Sequence, residues 1–184
     1  MYAILGEDIT DANTLKVLVR RLAHNDSLRV TPKGFGGCSK MLRKGAKELQ
    51  NLQRLKHTRF IICHDADGPD PGPKRERVRD EIVKPSGVTE QCCIVIPVQA
   101  LEAWILADVE CATKLFRSWV PKPIDNPEGI PKPDEHLERL SKGSNGRPRY
   151  SHATHNEQMA KYLGIEAVKR KCPSFRILAD FVTG

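Results

Sequence analysis

Five acidic residues of the type that bind divalent metal ions follow three apolar runs in an otherwise basic chain of 184 residues. They are Glu7, Asp11, Asp65, Asp67 and Glu102. Carboxylates that lie close together repel each other, and a hard cation such as Mg²⁺, which prefers oxygen ligands, relieves that repulsion. The residue types therefore predict a Mg²⁺ site, with Mn²⁺ as an alternative ion, if the fold brings the three runs together.

The elements that must position these acids alternate along the chain. Short apolar runs predict strands at 2–7, 27–31, 60–63 and 92–98. Helical periodicity or helix-favouring composition predicts helices between and after them, at 11–24, 39–53, 74–83 and 101–116. This alternation predicts an α/β fold with a mainly parallel four-stranded sheet flanked by helices. Parallel strands place their carboxyl ends at one edge of the sheet, so the five acids are expected to converge there.

Each acid also has a simpler explanation. Thr10 or Asp11 can cap the first helix and Ser39 the second, because short oxygen side chains accept from free N–H groups of the first turn. Glu102 lies in a first helical turn, where a negative charge interacts favourably with the helix dipole. Asp65 and Asp67 can belong to a turn, although two carboxylates on one side of an extended segment after a buried strand favour a ligand role.

The charge distribution favours a polyanionic partner. The net charge is +7, and the segment 14–60 holds twelve basic residues and two acids. Basic surface beside an acidic metal site suits a phosphate backbone, whereas a solvated helix face is the alternative. The sequence lacks the GxGxxG, P-loop and GxSxG motifs, so nucleotide-binding and serine-hydrolase schemes lack their signatures.

The six cysteines form no CxxC pair, and a structural role is expected for all of them. His64, which precedes Asp65, can contact metal or substrate, but a packed or solvent-facing histidine is more common. No apolar stretch reaches the roughly 20 residues of a membrane span, and no signal-peptide pattern opens the chain. We expect a cytoplasmic protein without membrane contact.

The composition changes after Trp119. Five prolines fall within 120–133, and 141–151 is polar and rich in glycine. A helical pattern over 158–181 is interrupted at Pro173. We interpret 1–116 as the core that carries the acids and 117–184 as a helical and loop extension packed on it, within a single domain.

Several of these motifs resemble those of a known family. Glu7 and Asp11 resemble the Glu-x-x-x-Asp of OLD-type nucleases, and Asp65-Ala-Asp67 resembles the Asp-x-Asp of the Toprim domain. The segments 99–108 and 171–175 are similar to the DUF4276 family of small stand-alone Toprim-like proteins. The likeness covers nearly the whole chain, and it implies the Toprim fold, a Rossmann-like arrangement.

The resemblance also implies an activity. Asp65 and Asp67 would bind Mg²⁺, Asp11 and Glu102 would complete one or two ion sites, and Glu7 would be a ligand or the general acid/base. The expected reaction is Mg²⁺-dependent hydrolysis of DNA or RNA, because no tyrosine is placed for a covalent intermediate. Members are often encoded near ATPases in bacterial defence loci, so an anti-phage role with a partner ATPase is expected. A homo-oligomer is also compatible with the sequence.

Two other functions remain open on the sequence. A subunit that binds nucleic acid or an ATPase without cutting would need the basic surface but not the converged acids. A nucleotidyl-transfer enzyme acting on small nucleotides, as in primases, would use the same acids for a different product.

Overall fold

The computed structural model describes residues 1–116 and 119–184. It confirms the predicted α/β class, with an all-parallel four-stranded sheet flanked by helices. The strand order is β2-β1-β3-β4. The strands are β1 (Tyr2–Gly6), β2 (Val30–Gly34), β3 (Arg59–Cys63) and β4 (Cys92–Val95).

The described residues form nine α-helices joined by short irregular turns. They are α1 (Ile9–Leu22), α2 (Cys38–Arg54), α3 (Gly72–Val78), α4 (Lys84–Ser86), α5 (Glu102–Ala107), α6 (Pro133–Leu140), α7 (His152–Ala160), α8 (Ile165–Lys171) and α9 (Pro173–Thr183). A π-helical turn, Arg79–Val83, joins α3 to α4, and 3₁₀ turns cover Thr89–Gln91, Val109–Lys114 and Pro127–Gly129.

The sheet separates two apolar layers. Successive side chains of a strand point to opposite faces, so Tyr2 and Ile4 pack with α1 and the C-terminal helices. Ala3 and Leu5 pack on the other face with α2, α3 and the turn after it. Because both faces are covered, β1 and β3 are almost continuously apolar, which is typical of buried parallel strands.

Strand β2 lies later in the sequence than the predicted 27–31. It spans Val30–Gly34 and includes Pro32, which pairs with Ile4 of β1. Proline has no N–H for a ladder and is confined to edge positions, and β2 is an edge strand. Pro32 is therefore compatible with this strand.

Helix ends also differ from the predictions. Asp8, rather than Thr10 or Asp11, caps α1, because its Oδ1 accepts from Asp11 N at 3.0 Å. Helix α2 begins at Cys38 after Gly37, so Ser39 lies inside it rather than at its cap. The helix predicted for 101–116 is the six-residue α5 followed by the 3₁₀ turn Val109–Lys114.

The residues after Trp119 pack on the sheet layer that contains α1. Trp104 of α5 is fully buried, and its Nε1 donates to Ser174 Oγ at 2.8 Å. Its ring meets Phe175 edge-on, with 5.1 Å between the ring centroids. The predicted boundary between 116 and 117 falls at the two residues outside the described ranges, and it stays a prediction.

None of the helices in the described ranges combines the length and apolar character that a membrane crossing requires.

Trp104→Ala should lower the free energy of unfolding by about 3–5 kcal/mol, because a large buried ring and its cavity are lost together. Urea denaturation followed by circular dichroism measures this loss. The control is Tyr162→Ala, whose side chain is half exposed and should cost about 0.5 kcal/mol or less. A loss below about 1 kcal/mol for Trp104→Ala would show that α9 does not depend on this contact.

Candidate metal centre

Four of the five predicted acids line one cleft at the carboxyl edge of the sheet. Asp11, Asp65, Asp67 and Glu102 contribute to a cavity of about 420 Å³. They come from the first turn of α1, the segment after β3 and the start of α5. Glu7 is not among the described residues that line this cavity. The fold therefore brings Asp11, Asp65, Asp67 and Glu102 together, and Glu7 lies beside them.

A close approach of two backbones places Asp11. A Cβ atom on Gly34 at the end of β2 would lie 2.3 Å from Ile9 N, so no other residue fits there without a shift of the chain. This contact lets α1 begin directly at the sheet edge. The Asp8 cap then holds the first turn, and Asp11 lies in that turn at the cleft.

The segments that follow β3 and β4 remain joined by backbone hydrogen bonds beyond the ends of the two strands. His64 N donates to Val95 O at 3.2 Å, and Ala66 N donates to Pro97 O at 3.0 Å. This extension carries Asp65 out to the cleft. Asp65 Oδ1 accepts from Leu101 N at 3.1 Å, so the backbone before α5 fixes the carboxylate.

Glu102 is held from the C-terminal part of the chain. Its side chain is buried, and its Oε1 accepts from Asn156 Nδ2 at 2.8 Å. Asn156 Oδ1 in turn accepts from the hydroxyl of buried Tyr150. An amide that donates to the carboxylate and accepts from a phenol can bind in one orientation, so this network orients Glu102.

Burial, followed by the charges of nearby acids, raises the pKa values of three carboxyl groups in the cleft. Burial raises the pKa of Asp11 to about 8, and the charges of Asp8, Glu102 and Glu7 add to that shift. Burial followed by Asp11 and Glu102 raises the pKa of Asp65 well above its usual range. Burial also raises the pKa of Glu102, although the Asn156 hydrogen bond opposes the shift. The cleft therefore disfavours the charged form of these carboxyl groups, because desolvation and like charges both act against it.

Asp67 differs from the expectation that it shares an extended segment with Asp65. Its φ is +53°, in the left-handed region, so the backbone is not extended at this residue. The carboxylate is 69% exposed and pairs with Lys74 Nζ at 2.7 Å. Asp67 therefore sits at the rim of the cleft and is already partnered by a cation.

Glu7 faces a histidine rather than the centre of the cleft. Its Oε1 lies 2.8 Å from Nδ1 of buried His64 and accepts from Asp65 N at 3.3 Å. On the other side of the ring, His64 Nε2 lies 3.1 Å from Cys38 Sγ. Glu7 thus joins the acid cleft to a second polar cluster.

The sequence did not indicate several residues of the cleft. Asp134, Glu135 and His152 line it from α6 and α7, and Asn156 supports Glu102 from one turn farther along α7. These residues lie after a proline-rich stretch with no regular period that would place them at the sheet edge. The pair Asp134-Glu135 is the one local signal, because two acids begin a helix directly after Pro133.

Asp11→Asn should stabilise the metal-free protein at pH 8 by an amount on the order of 2–5 kcal/mol. The folded state raises the pKa of Asp11 from 3.8 to about 8, so it holds a proton that the unfolded chain releases. Wild-type stability is therefore lost as pH rises through that window, and the advantage of the variant should vanish towards pH 4. Urea denaturation in EDTA at several pH values measures it.

The matched control is Asp26→Asn, an exposed acid in the turn after α1, which should leave stability unchanged at both ends of the range. An Asp11→Asn protein that is less stable than wild type at pH 8 would contradict the assigned repulsion.

Comparisons with known proteins agree with part of this picture. The family model described as a domain of unknown function, DUF4276, matches residues 6–182. No curated protein and no solved structure gives a match. Since the matched region includes every acid of the cleft and nearly the whole chain, the protein belongs to the DUF4276 family.

Proposed function

We propose that this protein is a Mg²⁺-dependent phosphodiesterase of the Toprim type that hydrolyses nucleic acid. One observation carries the proposal. Asp11, Asp65 and Glu102, from three separate elements, meet in one cleft, and none of them makes an ion pair with a Lys or Arg of the described residues.

The donor set of the cleft fits Mg²⁺. The three carboxylates offer only oxygen atoms, which Mg²⁺ prefers, and a cation among them would offset the burial and like-charge repulsion that raise their pKa values. Asp11, Asp65 and Glu102 would hold the ion, with Asp67 available at the rim. A bound Mg²⁺ would polarise a phosphoryl oxygen and lower the pKa of water.

The protein's own groups pre-organise these ligands. The Leu101 N–H fixes Asp65, and Asn156 fixes Glu102, so neither carboxylate must be ordered when substrate arrives. Glu7 is held by the Asp65 N–H beside the cleft. In this proposal it is a ligand or the group that exchanges a proton with water or the leaving oxygen.

The positions of the tyrosines favour hydrolysis over strand transfer. Tyr150, the tyrosine near Glu102, is buried, and its hydroxyl donates to Asn156. Burial and the charge of Glu102 raise its pKa, which opposes the phenolate that a covalent intermediate requires. Water is therefore the attacking group in the proposed reaction.

A basic face on α2, the helix that follows the loop bonded to Glu7, supports a polyanionic substrate. Four exposed cations of α2 make no ion pair with any described residue: Lys40, Arg43, Lys44 and Lys47. The loop before α2 is tied to the acid site, because Gly37 N donates to Glu7 O at 2.9 Å. Lysines at this position can neutralise phosphates of a backbone that leads into the cleft.

The same basic face favours a second candidate, a subunit that binds nucleic acid without cutting it. A bacterial anti-phage role with a partner ATPase is compatible with both candidates. The family resemblance supports that role. The two candidates differ in whether the protein cleaves nucleic acid. The cluster of Asp11, Asp65 and Glu102 favours cleavage, because a protein that only binds gains nothing from the repulsion among these carboxylates.

Asp65→Asn should lower Mg²⁺- or Mn²⁺-dependent cleavage of plasmid, single-stranded DNA or total RNA by at least about 100-fold. The ion supplies several kcal/mol of transition-state stabilisation, and the amide removes a charged ligand while still accepting from Leu101 N. Asp26→Asn should cut as wild type does. Metal-dependent cutting that survives both Asp65→Asn and Glu7→Gln would sink the proposal, and steady binding with no product would favour the non-catalytic subunit.

Lys44→Gln should reduce the slope of log binding constant against log salt by about 0.9 for duplex DNA, because one phosphate contact and its released counterion are lost. Fluorescence anisotropy over a salt series measures the slope. Lys161→Gln is the matched control, since this exposed lysine lies at the end of α7 on the opposite face of the sheet. An equal change in both variants would show that net charge, rather than the α2 face, governs binding.

A further inference from the structure

A basic loop joins two helices that line the acid cleft. Residues 142–149, which we call the basic arm, connect α6 to α7, and the first turns of both helices contribute residues to the cleft. The arm contains Lys142, Arg147 and Arg149, and no acidic residue occurs within 139–156. It therefore places concentrated positive charge next to a cluster of carboxylates.

Hydrogen bonds connect the base of the arm to the acid site. The Oγ of buried Ser141 accepts from Arg149 N at 3.0 Å and from Tyr150 N at 2.9 Å. Arg149 Nε also donates to Ser141 O, at 3.1 Å. The Tyr150 hydroxyl donates to Asn156, which in turn donates to Glu102 at 2.8 Å. A continuous series of hydrogen bonds therefore runs from the base of the arm to a carboxylate of the cleft.

The arm is also folded on itself. Gly143 N donates to Arg147 O at 3.1 Å, and Gly146 N donates to Gly143 O at 2.9 Å. Arg147 N donates to Asn145 Oδ1 at 3.0 Å. The φ of Gly146 is +72°, a backbone conformation that favours glycine at this turn. Because the backbone of the arm is held in this way, less conformational entropy is lost when the arm binds a ligand.

Two cations of the arm are available to a ligand. Lys142 and Arg147 are exposed, and neither side chain makes an ion pair or a hydrogen bond with any residue that the structure describes. Lys132, which lines the cleft, is instead paired with Glu135 at 2.7 Å. A polyanion that approaches the carboxylates needs compensating charge from outside the cleft, and the arm can supply it.

The distance between arm and cleft indicates the size of the ligand. The eight residues of α6 separate them, and a helix of that length spans about 12 Å. That distance corresponds to about three or four base-pair steps of duplex DNA. A mononucleotide at the cleft is therefore too short to reach the arm, whereas a polynucleotide reaches both.

We propose that the basic arm binds the phosphodiester backbone of a polynucleotide, several nucleotides away from the phosphate at the cleft. The position of that phosphate rests on the proposed function, whereas binding by the arm does not. The residues that flank the arm pack in the layer that contains α1, and α2 packs on the other face of the sheet. The arm and the basic face of α2 would thus hold the backbone on both sides of the acids.

Lys142→Gln/Arg147→Gln, the arm variant, removes both available charges. Fluorescence anisotropy over a salt series measures binding to a DNA duplex of about 20 base pairs, in EDTA to prevent metal-dependent cleavage. We expect the slope of log binding constant against log salt to become shallower by about 1.8, which is about 0.9 for each lost phosphate contact. Binding at about 0.1 M salt should weaken by at least about 10-fold.

The matched control is Lys161→Gln/Arg170→Gln, which removes the same charge from two other exposed cations. Lys161 follows the end of α7 that is remote from the cleft, where Ala160 O accepts from Arg21 Nη1 in the last turn of α1. This control should keep the wild-type slope. An unchanged slope in the arm variant, or an equal change in both double variants, would overturn the proposal.

A small phosphodiester separates the arm from the acid site. Bis(4-nitrophenyl) phosphate has no backbone that extends beyond the cleft, so the arm variant should hydrolyse it with Mn²⁺ at the wild-type kcat/KM to within about twofold. Its kcat/KM for the duplex should fall by at least about 10-fold. Equal losses on the two substrates would assign the effect to the cleft and contradict the proposal. A protein that binds the duplex through the arm but hydrolyses neither substrate would keep the arm and lose the proposed function.

Discussion

The removal of carboxylates from water, together with their mutual repulsion, is the constraint on which the rest of this structure depends. Asp11, Asp65 and Glu102 raise the free energy of the fold, because each is desolvated and the charges of nearby acids add to the rise in each pKa. Within the described residues, no lysine or arginine makes an ion pair with these three carboxylates. The protein uses a backbone N–H for Asp65 and an amide for Glu102, which order the oxygens without neutralising them.

The hydrogen bond from Asn156 to Glu102 also links the C-terminal part of the chain to the edge of the sheet. Asn156 and Tyr150 both lie after residue 119, and their network ends on Glu102 of α5. The same α5 buries Trp104 against α9. One short helix therefore has a carboxylate of the cleft at its first residue and core packing two residues later, so the stability of the C-terminal helices and the geometry of the cleft are coupled.

The sequence predicts the sheet and its acidic edge because these follow from local rules. A buried parallel strand is an apolar run, and a residue that follows it must lie at the carboxyl edge, so Asp65 and Glu102 could be placed from their neighbours alone. Asn156 could not, because its partner is 54 residues away and no period links them. The contact of Cys38 with His64 also escaped prediction, since it depends on the path of the glycine loop before α2.

The ends of helices and strands were less predictable than their existence, because they also depend on contacts with distant residues. Asp8 and Asp11 are both good caps, and which one caps α1 is decided by where Gly34 lets the helix approach the sheet. The left-handed backbone of Asp67 likewise reflects the turn between β3 and α3, which overrides the period-two pattern of an extended segment.

Pro32 in the edge strand β2 has a consequence for assembly. An open strand edge is a template on which another chain can add a strand, and a residue without an N–H interrupts that template. At the opposite edge, the carbonyl of Ile94 in the four-residue β4 accepts from Arg75 Nη1 at 3.1 Å. Both borders of the sheet are thus poor sites for β-augmentation. Any second copy or ATPase should dock through helices and loops, and the exposed helix faces are where its contacts are to be sought.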